Sequence, residues 1–178
     1  YDPGPAFLGL VVEKVSGLPL EAYFQRHIFG PLRMHDTFYQ VPADRWARVV
    51  SRHNRRAGDG AVIPQPKDPA PPHLTFFPGD GTLHSTGPDY LRFIRAFLNG
   101  GELDGARIAK PETIEMMCRN QIGDFRAGEM PSAMPALSNP VHLFPGATNQ
   151  FGFGFLINAR PVPGGRSAGS VMWGGLHN

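Results

Sequence analysis

The residues best placed to bind a reacting molecule lie near the end of the sequence, in the run Ala168–Gly175. The run predicts a short apolar strand that ends in Gly174 and Gly175, where a ligand can approach the backbone closely because no side chain intervenes. The alternative is a sheet edge whose small residues only fit against a helix. Taken alone, the composition of the run favours this second interpretation.

A second run, Gln150–Ile157, precedes the first and alternates phenylalanine with glycine. A period of two predicts a strand with one aromatic face and one nearly bare face. Between the two runs, Ala159–Ser167 is rich in proline and glycine, which is typical of a turn. The two runs therefore predict an antiparallel hairpin with one packed face.

Several other kinds of site are excluded by the spacing of their usual residues. His27 and His35 do not stand at a metal-ligand spacing, and no His-Glu-x-x-His occurs, so no metal is predicted. The glycine-bearing turn Pro78–Thr86 lacks the Gly-Lys-Ser/Thr of a phosphate loop. No cofactor is predicted.

Composition places the chain among ordinary globular proteins. Its 178 residues are 41% hydrophobic and 18% charged, enough for one domain with a sizeable core. The net charge is +2 and the only compact basic cluster is Arg52–Arg56, which predicts a solvated loop and no nucleic-acid partner. No apolar run is long enough for a membrane span. The single cysteine, Cys118, excludes an internal disulfide and is predicted to be a buried thiol.

Helices are predicted to position the terminal strands. A first helix, Ala6–Ser16, is followed by a second from Pro19 to Gly30 and, much later, by a fourth from Pro111 to Asn120. A third begins where Thr86 and Asp89 stand at capping-box spacing. Apolar stripes are predicted on the first helix (Phe7, Leu8, Val11, Val12, Val15) and on the third (Tyr90, Phe93, Ile94, Phe97, Leu98). Tyr39–Phe77 is predicted to be a long irregular excursion.

Taken in order, five motifs resemble the serine β-lactamase-like family, which includes class C β-lactamases, D-alanyl-D-alanine peptidases, and related esterases and acyltransferases. The motifs are Leu8–Gly17, Ile28–Thr37, Gly79–Thr86, Gly152–Phe155 and Trp173–Gly175. Each is short, but their order and spacing cover nearly the whole chain. The resemblance implies an α+β fold, a partial β-lactamase/transpeptidase-like fold with a mostly helical region and late antiparallel strands. It further implies a single domain over residues 1–178 that is incomplete at both ends.

The family forms an acyl-enzyme with a Ser-x-x-Lys helix, a Tyr-x-Asn-like loop and a Lys-Thr-Gly-like strand. A serine hydroxyl needs a neighbouring base to take its proton, and backbone N–H groups stabilise the oxyanion. The resemblance makes Tyr1 the catalytic tyrosine, places Trp173, Gly174 and Gly175 at the substrate-binding strand, and makes the backbone N–H of Leu176 an oxyanion donor. The alternatives are that Tyr1 covers the first helix and that Trp173 packs in the core.

Two departures from the family pattern matter. Pro3 stands where the family has asparagine, two residues after Tyr1. None of the seven serines is followed three residues later by lysine. The nucleophile and its lysine are therefore expected before Tyr1, and further strands are expected after Asn178. The sequence predicts a serine-hydrolase fragment that is inactive by itself.

Trp173 also predicts the substrate, because it stands where lactam-binding members carry a cation. Neutral short- to medium-chain esters are predicted, although Arg166 or His177 could restore the positive charge. Two alternatives stay open: a β-lactamase or D-Ala-D-Ala peptidase, and a non-catalytic member that binds peptides or cell-wall fragments. In each catalytic case the partner is a small-molecule ester or amide. Oligomeric state stays open, and so does the compartment: the cytoplasm is favoured, with the periplasm and secretion open because the N-terminus is expected to be missing.

Overall fold

The computed structural model describes residues 4–56, 58–134, 139–142 and 149–174. The chain divides into two compact units. The first unit comprises Tyr1–Val50 and Asp68–Pro111, and the second comprises Ser51–Lys67 and Glu112–Asn178. The single domain over residues 1–178 stays a prediction.

The described residues combine helices with short antiparallel strands, and the three-stranded sheet comes last in the chain. The α-helices are α1 Gly4–Ser16, α2 Leu20–Phe24, α3 Gly87–Leu98 and α4 Pro111–Met117, with a π-helix at Gln25–Phe29 and a 3₁₀-helix at Ala43–Arg48. The strands are β1 His53–Arg55, β2 Val62–Pro64, β3 Glu102–Leu103, β4 Ala106–Arg107, β5 Glu129–Met130, β6 Val141–His142, β7 Asn149–Phe151, β8 Leu156–Asn158 and β9 Val171–Met172. The strands β1 to β6 form three two-stranded antiparallel sheets, and the order β7-β8-β9 forms a three-stranded one. The predicted α+β class is confirmed.

The core of the first unit gathers around the end of the second predicted helix. Buried residues from the π-helix, the turn after it, α3 and β3 form one cluster: Phe29, Leu32, Met34, Ala96 and Leu103. The last turn of that predicted helix is π-helical, because the Gly30 N–H donates to the Gln25 carbonyl five residues back. A Cβ on Gly30 would lie 2.7 Å from that carbonyl oxygen, so the turn requires glycine.

Helix α3 begins where the capping residues predict. The Thr86 hydroxyl accepts a hydrogen bond from the Asp89 N–H at 3.4 Å, and Pro88 lies in the first turn. The predicted buried stripe is wrong in part. Phe97 is buried, but Tyr90 and Leu98 are exposed to solvent.

Helix α1 is present, but its apolar stripe is mostly exposed. Gly9 is its only buried residue, whereas Phe7, Leu8, Val11 and Val15 are exposed. Gly9 packs tightly: a Cβ there would lie 3.0 Å from Leu20 Cδ2 and 3.1 Å from the Gly79 nitrogen. The small side of α1 therefore faces the rest of the first unit.

The phenylalanine–glycine run is not one strand, which corrects the prediction for Gln150–Ile157. Gly152–Phe155 forms a tight turn between β7 and β8, closed by the Gly152 N–H donating to the Phe155 carbonyl at 2.8 Å. A Cβ on Gly152 would lie 2.0 Å from the Met117 carbonyl oxygen, so this glycine allows the turn to pass the end of α4. The predicted hairpin is confirmed for β8 and β9, which pair Leu156 with Met172.

The excursion Tyr39–Phe77 is more ordered than the sequence predicts. It contains the 3₁₀-helix and the β1–β2 hairpin, and the basic cluster lies on and beside β1. Cys118 is half-buried after α4, and burial raises the pKa of its thiol. Within the described ranges, no helix is long and apolar enough to cross a membrane, and no group of metal-ligating side chains forms.

Candidate functional site

Some of the predicted site residues lie within the described part of the chain, and the others lie outside it. Tyr1, Gly175 and Leu176 lie outside the described residues, as do Pro3 and His177. Trp173 and Gly174 are described and lie directly after β9, both exposed. Their positions in the chain agree with a strand that ends in an accessible backbone.

The ring of Trp173 is partly packed and partly exposed. Its ring packs edge-on against Phe151 of β7, with centroids 5.1 Å apart and planes at 88°. Its side chain nevertheless stays 45% exposed, and Phe153 in the β7–β8 turn is exposed as well. Core packing therefore buries only part of the tryptophan, and the rings of Trp173 and Phe153 are both exposed at this end of the sheet.

In the first unit, the predicted glycine turn lies against the first turns of α1. A Cβ on Gly79 would lie 2.1 Å from the Pro5 carbonyl oxygen, so only glycine allows this approach. The turn is also held at its start, because the Tyr39 hydroxyl donates to the Pro78 carbonyl at 3.1 Å. The glycine turn is thus fixed close to the segment that follows Tyr1 in the sequence.

Tyr39 is itself buried, and its hydroxyl is a donor. Burial, with smaller contributions from the carboxylates of Asp80, Glu21 and Glu13, raises the pKa of Tyr39 to about 12. The phenol stays protonated at neutral pH and keeps its hydrogen bond to Pro78. Tyr39 therefore stabilises the turn and does not act as a base.

A buried carboxylate, which the sequence analysis treated only as part of a helix cap, joins two distant segments. Asp89 is 8% exposed, and its Oδ2 accepts from the Asp36 N–H at 2.7 Å and the Thr37 hydroxyl at 3.0 Å. The Thr37 hydroxyl also lies 2.8 Å from the Ser85 hydroxyl. No local pattern could have revealed this network, because its partners are separated by about fifty residues.

Next to this network, Asp36 is held by two arginines. Arg48 donates to both carboxylate oxygens at 2.8 and 2.9 Å, and Arg45 donates to Oδ1. The hydrogen bonds from Arg48 hold the pKa of Asp36 below its ordinary value. A shallow cavity of about 160 Å³ lies here, with Phe38, Val41 and His84 in its lining. The charges in its wall are directed at each other, which is the geometry of a structural ion pair.

Four of the described serines bond to groups that cannot accept a proton from them during catalysis. The Ser85 hydroxyl pairs with Thr37 and the Thr86 carbonyl, Ser16 accepts from the Leu18 N–H, and Ser167 and Ser170 pair with each other. A nucleophilic serine needs a lysine, histidine or carboxylate as its base. The described contacts therefore do not show any of these four serines as an activated nucleophile.

Comparison with known proteins adds to this geometry. The sequence model of the family Beta-lactamase matches residues 3–177. Protein Rv1367c of Mycobacterium tuberculosis is 29% identical over 99% of this chain and 43% of its own length. Lovastatin esterase of Penicillium rubens is 31% identical over 98% of this chain and 44% of its own length. The chain therefore spans less than half the length of these curated relatives.

Solved structures agree in fold. The LovD6 mutant of simvastatin synthase from Aspergillus terreus superposes with a TM-score of 0.76 at 23% identity, covering 98% of this chain and 44% of that one. EstCE1, a hydrolase with promiscuous acyltransferase activity, superposes with a TM-score of 0.65 at 19% identity, covering 98% and 45%. With the family match over almost every residue and the α+β fold in place, the chain belongs to the Beta-lactamase family.

Proposed function

We propose that the protein containing this chain is a serine hydrolase that forms an acyl-enzyme and acts on neutral short- to medium-chain esters. Membership of the family supports the hydrolase class. The esterase activity is supported by a relative named for it, lovastatin esterase, at 31% identity. The observation that carries the substrate class is Trp173, half-exposed beside Phe151 at the end of β9.

The roles of the individual groups follow from the family resemblance. Tyr1 relays the proton of the serine, and the backbone N–H of Leu176 stabilises the oxyanion. Trp173, Gly174 and Gly175 bind the substrate. The serine and its lysine belong to a segment before Tyr1, because no serine of this chain has a lysine three residues later. Relatives more than twice as long as the matched region leave room for such a segment.

The choice of an ester over a β-lactam rests on charge. Lactam-binding members place a cation near the substrate carboxylate, and the resemblance assigns Trp173 to the corresponding position. Loss of a hydrogen bond to a charged group costs about 1.5–3 kcal/mol, which corresponds to roughly a ten- to hundredfold loss in kcat/KM. The apolar rings of Trp173, Phe151 and Phe153 instead favour an uncharged acyl group.

The test compares kcat/KM for p-nitrophenyl butyrate and for nitrocefin on one preparation of the longer protein at one pH. We expect the ester to be turned over far better. Trp173→Lys should improve nitrocefin relative to the ester by about tenfold or more, whereas Trp173→Phe, the matched control, should keep the ester preference. Equal or better turnover of nitrocefin by the unchanged protein would refute the esterase proposal.

A further inference from the structure

The hydrogen bonds between β1 and β2 in the second unit show which backbone groups of this hairpin face outward. The Arg56 N–H donates to the Ala61 carbonyl at 2.8 Å, and the Gln65 N–H donates to the Arg52 carbonyl at 2.7 Å. In an antiparallel pair, residues that bond to the partner strand alternate with residues that do not. The odd-numbered residues of β1 therefore direct their N–H and C=O groups away from β2.

The outer edge of β2 is blocked by proline, whereas the outer edge of β1 keeps its donors. By the same alternation, the even-numbered residues of β2 and of the segment after it face away from β1, and Pro64 and Pro66 among them have no N–H. On β1 the outward donors belong to His53 and Arg55. Among the described residues, no strand pairs with this edge, and no group accepts a hydrogen bond from either N–H. The hairpin can therefore receive another strand beside β1 and not beside β2.

The open edge is strongly basic. Ser51–Arg56 contains three arginines, one histidine and no acidic residue, and these four side chains are all exposed. Within the described part of the chain, only Arg56 of the three arginines forms an ion pair, with Asp59 at 3.5 Å. Arg52 and Arg55 lie on opposite faces of β1, because side chains alternate along a strand. An added strand therefore meets unmatched positive charge on both of its faces.

Charge disfavours a second copy of the chain at this edge. Two β1 strands paired antiparallel around Asn54 would place Arg52 opposite Arg56 and His53 opposite Arg55. Like charges directly opposite each other destabilise a strand pair. An extended segment with acidic side chains has the complementary charge, and its carbonyl groups can accept from both outward N–H groups.

We propose that the open edge of β1 binds an extended acidic peptide segment of a partner protein by strand addition. The backbone of the segment pairs with His53 and Arg55, and its carboxylates lie beside Arg52 and Arg55. Strand addition converts a two-stranded hairpin, which is marginally stable by itself, into a three-stranded sheet. The edge contains none of the residues assigned to catalysis or substrate binding, so this inference does not depend on the proposed function.

The probe is an acetylated and amidated peptide in which glutamate alternates with threonine. Its control is the same peptide with glutamine in place of each glutamate. Titration into the chain of 178 residues, followed by calorimetry, gives the two affinities. We expect the glutamate peptide to bind about tenfold more tightly, because only its side chains form exposed ion pairs with Arg52 and Arg55. Equal affinities, or no binding of either peptide, would overturn the proposal.

Two pairs of variants separate charge from backbone pairing. Arg55→Glu should weaken binding of the glutamate peptide by about tenfold, whereas Arg126→Glu, an equal change of net charge at an exposed position outside the hairpin, should change it by less than about twofold. His53→Pro removes an outward N–H but no bond to β2, and should weaken binding by about tenfold, whereas His53→Ala keeps the N–H and should bind nearly as the parent does. Equal effects within either pair would contradict strand addition of an acidic segment.

Amide hydrogen exchange locates the bound peptide. In the free chain the amides of His53 and Arg55 should exchange rapidly, and the amide of Arg56, which is bonded to Ala61, should exchange slowly. The glutamate peptide should slow exchange at His53 and Arg55 selectively. Slower exchange elsewhere, with these two amides unchanged, would mean that the peptide binds at another surface and would overturn the proposal.

Three further measurements test other occupants of the edge. Phosphatidylserine vesicles or polyuridylate that bind through Arg55 more tightly than the glutamate peptide would assign the edge to a membrane or a nucleic acid and overturn the proposal. Sedimentation should show a monomer, and a dimer that His53→Pro dissociates would assign the edge to a second copy. The longer protein should bind the peptide as the chain of 178 residues does; loss of binding there would show that the protein covers this edge itself and would also overturn the proposal.

Discussion

Two tyrosines of the chain are assigned opposite tasks, one from its contacts and the other from the family resemblance. Tyr39 is buried and donates its hydrogen bond permanently to Pro78. Tyr1, by resemblance, is the tyrosine that exchanges a proton with the nucleophile. The phenol of Tyr39 therefore serves as a fixed donor, whereas we propose that the phenol of Tyr1 relays a proton.

The raised pKa of Tyr39 predicts a late step in an alkaline titration. The phenol of Tyr39 should ionise near its pKa of about 12, well above the ordinary pKa of a tyrosine. Because the folded state holds this proton more tightly, its stabilising effect is complete below pH 10 and is lost as the pH rises towards 12. Absorbance at 295 nm follows the titration. The late step should vanish in Tyr39→Phe, and a titration complete by pH 11 in the folded chain would contradict the prediction.

For Tyr1 the prediction concerns turnover in the longer, catalytically complete protein. Tyr1→Phe should lower kcat by about 10²–10⁴-fold, the usual range for a positioned acid or base. Thermal stability should hardly change, because only one hydroxyl is removed. A variant that keeps most of its kcat would assign Tyr1 to packing against the first helix.

At the scale of elements, the turn Gly152–Phe155 shows how a periodic pattern can mislead. Alternating phenylalanine and glycine predict a strand, yet the chain reverses there between β7 and β8. The deciding contact is tertiary: Gly152 passes the Met117 carbonyl at a distance that no other residue allows. The period of the sequence indicates a local preference for a strand, and the close approach of Gly152 to the end of α4 overrides this preference.

This contact predicts unequal effects of two alanine substitutions in the same turn. Gly152→Ala should destabilise the chain by about 3 kcal/mol or more, because a Cβ would overlap the Met117 carbonyl. Gly154→Ala should cost only about 1 kcal/mol: its φ of +85° disfavours alanine, but nothing lies within 4 Å of the new Cβ. Urea unfolding of both variants gives the comparison. Equal losses of unfolding free energy at the two positions would show that the backbone conformation of the glycine, and not its close approach to Met117, determines the cost of the substitution.

For the whole molecule, the lack of a Ser-x-x-Lys sequence predicts that the chain of 178 residues does not form an acyl-enzyme. Incubation with a fluorophosphonate probe or an activated ester, followed by intact mass measurement, should show no stoichiometric adduct on a serine. The hydrogen bonds of Ser85 to Thr37 and the Thr86 carbonyl agree with this expectation. A specific adduct would mean that the site lies elsewhere in the chain.

The sequence predicted those features of the fold that depend on neighbouring residues. The boundaries of α1 and α3 and the end of the second helix could be predicted from residues that cap or terminate helices. Thr86 and Gly17, for example, affect only the helical turn next to them. Burial was harder to predict. Val15 and Leu98 carry the hydrophobicity of core residues but are exposed, because exposure depends on which partner a face meets. The network around Asp89 was missed for the same reason: its partners become neighbours only in the folded chain.

The π-helix Gln25–Phe29 also affects which changes of length the gene can tolerate. A π-helical turn holds one residue more than an α-helical turn, so deleting a residue there would allow a regular α-helix. The extra residue is accommodated within the π-helical turn, so the residues that follow the deletion would keep their positions on the helix. Phe29 and Leu32 would then stay in the cluster that they form with Ala96. A length difference of one residue among natural homologues should therefore be tolerated at this turn, and a homologue that is one residue shorter here should need no compensating insertion before Leu32.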